Sequence, residues 1–310
     1  MNGAGAEPRS ENTLVAEQRP VVLLRLEHAG HLVASGWAHS LAEALNTQLV
    51  VARLINQMRV RANVLFPQNN LVDGVFEVRQ AERLLNARSR WQARFAQAQE
   101  LPPMVSVVNL GVRHLAEALS GVRPGLVVMP ASPSWPEENV VKLAMLLEVP
   151  VLVARAGPSG RHMLAASNLE DLTRPVLRLA SQWATVAGHR LTCLHNVEPW
   201  LPVMVSPEGI AWNAIQQGTE ERVAQLREQQ LELAARSLGA DCALTREFDT
   251  AAGIISAATK VGASVVVVGA PTATGSSRHR VTERVVGRAP QSVMVVPVSR
   301  GGWPGVPGVA

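Results

Sequence analysis

Short aliphatic runs alternate with helical stretches along this chain, and the whole alternation occurs twice. A strand followed by a helix and another strand indicates a parallel sheet, because the crossover returns the chain to the same edge. Strands buried on both faces of such a sheet are continuously apolar, as residues 265–268 are. The pattern therefore predicts an α/β fold with two parallel sheets, each covered by helices on both faces.

Each half is predicted to contain five strands and four helices. Asp249 is expected to cap the helix that begins at residue 251. In the first half the predicted strands are residues 21–26, 49–55, 104–108, 125–129 and 149–154, and the helices are 33–46, 75–99, 112–119 and 137–148. In the second half the strands are 163–167, 191–197, 242–248, 264–269 and 292–298, and the helices are 172–187, 208–238, 251–261 and 281–287.

The two halves align without a gap from residues 21–55 onto 163–197, an offset of 142 (163 − 21). The same offset returns where residues 151–154 align with 293–296. Few residues are identical, so the matching order of elements carries the argument for a tandem duplication. The domains are expected at residues 20–156 and 161–300. Residues 1–19 and the tail 301–310 are expected to be disordered, because they are polar or rich in Gly and Pro.

Composition excludes several classes of protein. Apolar residues make up 47% and charged residues 17%, which is a globular balance. No run approaches the roughly 18 apolar residues of a membrane helix, and the first 20 residues lack the apolar segment of a secretory signal. The net charge is only +4, and acids are interleaved with the arginines, so nucleic-acid binding is not expected. A cytoplasmic protein without a membrane partner is expected.

The second half resembles the universal stress protein family. Residues 281–298, VTERVVGRAPQSVMVVPV, are similar to the family's last helix, Ala-Pro turn and final strand. MLAASNLED at 163–171 and LTCLHNVEP at 191–199 are similar to its first strand and helix start and to its second strand. The resemblance covers residues 161–300 and, more weakly, 21–155.

The resemblance implies two tandem Rossmann-like, adenine nucleotide alpha hydrolase-like domains, each with an open five-stranded parallel sheet. It also implies ATP or AMP at the strand ends in many members, and pairing through the last strand. The two halves are therefore expected to pack as an intrachain pseudo-dimer. The expected pairing edges are residues 149–154 and 292–298, because an apolar edge strand must be covered.

The loop after the fourth strand of the second half decides the nucleotide question. The family pattern there is G-x2-G-x9-G-[ST], in which glycines let backbone N–H groups approach phosphates. This chain has GAPTATGSSRHRVTE at 269–283, with Thr272 in place of the second glycine and a loop about three residues short. A phosphate site and a solvated Gly/Ser turn both remain open. The phosphate-friendly residues are Gly269, Gly275, Ser276, Ser277, Arg278 and Arg280.

The resemblance implies further ligand contacts at the ends of the first two strands of the second half. Asn168 stands where nucleotide-binding members usually have an acidic residue. Its amide could bond a ribose or base, or it could serve as a turn residue. Val197 and Thr282 complete the set of cofactor-binding residues that the resemblance implies.

The first half departs further from the family pattern. Its loop, PASPSWPEEN at 130–139, has Pro130 in the place of Gly269 and no glycine. Prolines remove backbone donors, and Glu137 and Glu138 would repel a phosphate while suiting the first turn of a helix. Leu26 stands at the Asn168 position. This half is expected to have lost any ATP site, so ATP or AMP with magnesium is expected in the second domain only.

Other chemistry-bearing residues favour structural interpretations. His28, His31 and His39 lie within twelve residues but lack well-spaced further ligands, so no metal site is expected. His195 is expected to make a structural hydrogen bond. Cys193 and Cys242 are expected on adjacent strands, as two small buried residues in preference to a redox pair. Trp200 and Trp212 are expected to pack beneath the long helix.

Two classes of function follow from these observations. One is a stress-related binding protein that holds an adenine nucleotide in the second half. The other is a regulatory or scaffold protein that uses the same fold for protein interactions without nucleotide. An enzyme is not expected, because the sequence has no nucleophile elbow, P-loop or zinc-protease motif.

Overall fold

The computed structural model describes residues 19–25, 31–56, 103–109, 111–133, 135–158, 160–169, 175–199, 207–271 and 277–298. The predicted helix at 75–99, the tail 301–310 and, apart from Arg19, the first segment lie outside the described residues.

The elements follow one another as the alternation predicts. The first half contains β1 (Val21–Arg25), α1 (His31–Ala44), β2 (Leu49–Asn56), β3 (Met104–Asn109), α2 (Val112–Ser120), β4 (Leu126–Pro130), α3 (Glu137–Leu147) and β5 (Val151–Ala154). The second half contains β6 (His162–Ala166), α4 (Pro175–Ala187), β7 (Arg190–Asn196), α5 (Pro207–Ser237), β8 (Asp241–Thr245), α6 (Thr250–Lys260), β9 (Val265–Pro271), α7 (Ser277–Arg288) and β10 (Ser292–Val298).

The described strands form one ten-stranded sheet in the order β3-β2-β1-β4-β5-β10-β9-β6-β7-β8. Neighbouring strands are parallel within each half, and β5 pairs with β10 in the antiparallel sense. The two expected sheets are therefore the halves of a single continuous sheet. Each half has the doubly wound order in which the first and fourth strands are neighbours.

The register shows that the halves are built alike. Val21 pairs with Leu49 in the first half, and Met163 pairs with Leu191 in the second, which preserves the offset of 142 (163 − 21 and 191 − 49). In the fourth strands the offset is 139, because Pro130 pairs with Ala154 whereas Gly269 pairs with Val296. Pro130 therefore does occupy the position of Gly269, as the sequence predicts.

Helices cover both faces of the sheet with aliphatic side chains. On one face, α2, α3, α6 and α7 contribute Leu115, Leu143, Ile254 and Val285 to a core that continues across both halves. On the other face, α1, α4 and α5 contribute Leu41, Leu177 and Leu231 to a second core. In the strands other than β3 and β8, alternate residues enter opposite cores, which is the period of two that a doubly covered sheet requires.

The segment that follows β5 makes further contacts between the two halves, in addition to the pairing of β5 with β10. The backbone N–H of Arg155 donates to the hydroxyl oxygen of Ser292, 3.1 Å away. The Arg155 guanidinium donates to the carbonyl oxygen of Val286 in the last turn of α7, where helix carbonyls lack partners. Gly157 lies so close to the next loop that a Cβ there would sit 2.6 Å from the carbonyl oxygen of Pro290.

Two predicted boundaries near the candidate site are wrong. The strand expected at 242–248 ends at Thr245, because the backbone of Glu247 hydrogen-bonds the side chain of Asn196 and leaves the sheet. The helix expected at 281–287 begins earlier, at Ser277. Ser277 is therefore the first residue of a helix, whereas the sequence favours a place for it in the Gly/Ser turn. The predicted Asp249 cap is confirmed, since its side chain accepts from the N–H groups of Ala251 and Ala252.

Candidate functional site

The candidate site lies at the carboxyl ends of β6 and β9. These two strands are neighbours, while the chain leaves them in opposite directions, towards β7 on one side and β10 on the other. In open α/β sheets such a reversal of strand order leaves a crevice outside the carboxyl ends, where ligands bind. The end of β9 and the turn after β6 both border this crevice.

Gly269 and Thr282 join strand β9 to helix α7. The hydroxyl of Thr282, which is only 4% exposed, donates to the carbonyl oxygen of Gly269 at 2.7 Å. A Cβ at Gly269 would meet methyl groups of Val176 and Val298, each at 3.0 Å. Gly269 therefore allows α4 and β10 to approach the strand closely, and Thr282 holds the far end of the phosphate-loop candidate in place.

The middle of that loop, with Gly275 and Ser276, lies outside the described residues. Ser277 is the first residue of α7, and Arg280 lies within its first turn. The first turn of α7 contains no acidic residue. The positive end of this 12-residue helix is therefore not neutralised by a carboxylate of its own first turn.

The turn after β6 places Asn168 at the surface of the crevice. The N–H of Ser167 donates to the carbonyl oxygen of Leu194 at 2.9 Å, which continues the sheet pairing by one residue. Leu169 has a φ of +58°, and its N–H donates to the Ser167 hydroxyl oxygen at 3.2 Å. Asn168 is thus held in a tight turn with an exposed side chain.

The end of β7 is ordered by Asn196, which sequence reasoning missed. Its amide nitrogen donates to the carbonyl oxygen of Glu247 and to the hydroxyl of Thr250, at 2.9 and 3.1 Å. Its amide oxygen accepts from the Thr245 hydroxyl and the Glu247 N–H, each at 3.0 Å. Next to it, the N–H of Val197 donates to the carbonyl oxygen of Thr245 at 2.9 Å. The strand end that carries Val197 is therefore fixed to the start of α6.

An ion pair joins the two helices beside this edge. Arg284 of α7 contacts the Asp249 carboxylate that caps α6. Burial alone would raise the pKa of Asp249, but the Ala252 N–H and the Arg284 charge outweigh it and hold the pKa below its ordinary value. Asp249 is therefore ionised at neutral pH, where it both caps α6 and pairs with α7.

The equivalent edge of the first half differs in charge. β4 ends at Pro130, and α3 begins with Glu137 and Glu138 in its first turn. A Cβ at Gly287 of α7 would lie 2.8 Å from the Glu137 carboxylate, so this side chain packs against the other half. The first turn of α3 therefore carries two carboxylates, whereas the first turn of α7 carries none.

The histidines expected to be structural are placed as follows. His195 is 8% exposed, and its Nδ1 donates to the carbonyl oxygen of Ser167 at 2.7 Å, which confirms the expected structural hydrogen bond. His39 contacts Glu43 at 3.1 Å on α1, while His28 and the side chain of His31 lie outside the described residues. Among the residues that the structure describes, no group of three or more His, Cys, Asp or Glu could hold a metal ion.

The cysteines correct one expectation. Cys193 and Cys242 are register partners on β7 and β8, so the predicted adjacency is confirmed, and both thiols are free. Cys193 is buried, but Cys242 is exposed, because β8 is an edge strand. Partial desolvation of the Cys242 thiol by its neighbours, and then the charges of Glu232 and Glu228, raise the pKa of this thiol and lower its reactivity. Trp200 lies outside the described residues, and so does the side chain of Trp212.

None of the helices in the described ranges combines the length and apolar character that a membrane-spanning helix requires.

The doubly wound order defines a Rossmann-like α/β fold, and the crevice at β6 and β9 is the candidate ligand site of its second half. Residues 160–297 match the model of the Universal stress protein family. The second half of the chain is therefore similar to universal stress proteins. A comparison with curated protein sequences gave no match.

Solved structures with this fold span nearly the whole chain. A functionally unknown protein from Pseudomonas aeruginosa PAO1 is 16% identical with a TM-score of 0.57, covering 91% of this chain and 93% of that one. A universal stress protein from Archaeoglobus fulgidus DSM 4304 is 14% identical with a TM-score of 0.51, covering 92% of this chain and 98% of that one. A universal stress protein from Archaeoglobus fulgidus in complex with dAMP matches with 20% identity and a TM-score of 0.29, covering 44% of this chain and 97% of that one.

Proposed function

We propose that the chain is a stress-response binding protein that holds an adenine nucleotide, ATP or AMP, in its second half only. The observation that carries this proposal is the difference between two helix starts. The first turn of α7 contains Arg280 and no acid, whereas α3 begins with Glu137 and Glu138. A helix N-terminus attracts phosphate when its own first turn leaves the positive end uncompensated.

The residues would divide the nucleotide between them. Backbone N–H groups of Gly275 and Ser276, the hydroxyl of Ser277 and the charge of Arg280 suit the phosphates. Asn168 and Val197, at the ends of β6 and β7, suit the ribose and base. Magnesium, when bound with the nucleotide, would neutralise part of the phosphate charge.

Gly269 and Thr282 serve the site in a different way from the residues that would contact phosphate. The Thr282 hydroxyl already donates to Gly269, so these two residues position the loop. The packing of Gly269 against Val176 and Val298 gives the strand end a second anchor. Preorganisation of this kind lowers the entropy that a loop loses when it closes on a ligand.

Calorimetric titration of ATP, AMP and dAMP with magnesium into the full chain tests the proposal. We expect saturation at one nucleotide per chain. Gly275→Val should abolish binding by blocking the approach of backbone to phosphate. Pro130→Ala, in the loop that follows the fourth strand of the first half, should leave binding unchanged. Equal loss from both substitutions would contradict a single site.

If the titration of the folded protein releases no binding heat, the nucleotide function is contradicted. The scaffold function would then be the remaining candidate. A phosphate-release assay on the saturated complex separates binding from catalysis. We propose that the protein is not an enzyme, and we expect release no faster than from ATP alone. Sustained turnover that Gly275→Val abolishes would overturn this part of the proposal.

A further inference from the structure

Two arginines lie side by side at the carboxyl end of the first half. Arg25 is the last residue of β1, and its register partner on β2 is Arg53. Neighbouring strands are about 4.8 Å apart, so the two side chains leave the sheet close together. Both are half-buried, which leaves them accessible to solvent along part of their length.

Both arginines are on the face of the sheet that α1 covers. Strand residues alternate between the two faces, and Val21, Leu23 and Val51 belong to the core shared with α1. Arg25 and Arg53 continue these alternate positions towards the carboxyl edge. Helix α1 begins at His31, six residues after Arg25 (31 − 25), and its first turn contains no acidic residue. The positive end of α1 thus lies at the same edge as the two guanidinium groups.

This charge is not balanced nearby in the described part of the chain, where no carboxylate forms an ion pair with either arginine. Burial, and then the charge of Arg53, lower the pKa of Arg25 from its usual value. Two like charges in register on adjacent strands destabilise the fold unless an anion compensates them.

The second half has no pair of arginines at the same positions. By the offset of 142, Ser167 is the equivalent of Arg25 (167 − 25), and His195 is the equivalent of Arg53 (195 − 53). There the histidine donates to the Ser167 carbonyl at 2.7 Å, and no pair of like charges arises. The paired arginines are therefore a property of the first half and not of the fold.

We propose that Arg25 and Arg53 form a binding site for the phosphate group of a small molecule, separate from the nucleotide crevice proposed for the second half. Each guanidinium offers a planar fork of N–H donors that matches phosphate oxygens. A phosphate monoester carries a charge of about −2 at neutral pH and neutralises both arginines, whereas a carboxylate neutralises one of them.

Titration of the full chain with inorganic phosphate, at constant ionic strength balanced by sodium chloride, tests the site. We expect a saturable rise in the melting temperature, because a ligand that binds only the folded state stabilises it. Arg25→Gln and Arg53→Gln should each weaken the apparent affinity for phosphate by at least about tenfold, the factor that one lost charge-assisted contact produces. Arg178→Gln, which removes an exposed arginine of α4, should not change it.

Further variants keep the result interpretable. Gly275→Val must retain the phosphate response, which separates this site from the nucleotide crevice. Where a glutamine variant does not fold, Arg25→Lys or Arg53→Lys keeps the charge and removes the fork, and should weaken the affinity as well. A response that is equal in all variants, that disappears with Gly275→Val, or that never saturates in the unmodified chain would overturn the proposal.

Discussion

Leu152 lies opposite Met294 at the centre of the antiparallel pairing between β5 and β10. The flanking pairs, Val153 with Val293 and Val151 with Val295, are symmetric about this central pair. Residues 151 and 293 are equivalent in the two halves, and so are 153 and 295 (each differs by 142). The junction therefore has the self-complementary character of a two-fold interface, within one chain.

Val295→Lys tests how much stability depends on this junction. Val295 is fully buried, so the lysine charge would be placed in an apolar core without a partner, at a cost on the order of 4 kcal/mol. The same exchange at Val223, which is 45% exposed on α5, should change stability by less than about 0.5 kcal/mol. Urea unfolding followed by circular dichroism measures both. Similar midpoints for the two variants would argue against a stabilising junction.

Two substitutions of glycine by alanine should change the stability of the protein in opposite directions. Gly157→Ala should destabilise the protein by roughly 1 kcal/mol or more, because its Cβ would sit 2.6 Å from the backbone oxygen of Pro290. Gly218 lies within α5, and nothing approaches the position of its Cβ within 4 Å. Gly218→Ala should therefore stabilise by about 0.5–1 kcal/mol. Thermal unfolding of both variants measures these changes in stability. A stabilising effect of Gly157→Ala would show that the backbone around Gly157 and Pro290 can move apart.

The Asp249 cap should contribute measurably to stability. Asp249→Ala removes an acceptor for two N–H groups at the start of α6, and should cost about 1 kcal/mol. Chemical unfolding at pH 7 measures this cost. Asp241→Ala is the control, because Asp241 is an exposed aspartate paired with Arg190 at the surface. A larger loss in the control would exclude the capping role.

Acid should remove the contribution of Asp249 in a predictable pH range. Its pKa is lower in the folded protein than in the unfolded chain, so its stabilisation is complete above the ordinary aspartate value of about 3.9. The stabilisation is lost as pH falls through the lower, folded pKa. The stability difference between the original chain and Asp249→Asn should therefore shrink towards low pH. A difference that stays constant below pH 4 would contradict the lowered pKa.

Cys242 should alkylate slowly for an exposed thiol. Its raised pKa leaves less thiolate at pH 8 than a free cysteine has, and thiolate is the reacting species. Glu228→Gln and Glu232→Gln should each increase the rate with iodoacetamide, because each removes a negative charge near the thiol. Glu221→Gln, elsewhere on α5, should not. Mass spectrometry follows the labelling, and an unchanged rate in the first two variants would remove the electrostatic explanation.

Much of the fold could be predicted from the sequence, because buried parallel strands are unmistakably apolar. The run at residues 265–268 and the Ala-Pro turn before β10 place the last elements to within a few residues. The pairing of β5 with β10 follows from the need to cover two apolar edges. Polar side chains at strand ends are harder to interpret, since their partners are distant in sequence.

Asn196 and the paired arginines illustrate that limit. Asn196 lies within the LHNV motif, but its four hydrogen bonds reach residues 49 to 54 positions away. Arg25 and Arg53 interrupt aliphatic strands, which is the signal that could have marked them. Their proximity depends on the register of β1 against β2, and local sequence does not state a register. Burial of Cys242 was predicted wrongly for a related reason, since edge position is a property of the whole sheet.

The reversal of strand direction between β5 and β10 also determines how the two proposed ligand sites are placed relative to each other. The strands of the first half run antiparallel to those of the second half. The carboxyl ends of the two sets of strands therefore lie at opposite ends of the sheet, measured along the strand direction. The arginine pair and the crevice proposed for a nucleotide therefore open on opposite sides of the molecule. No small molecule could bridge them, so any communication between two occupants would have to pass through the shared sheet and its two helical layers.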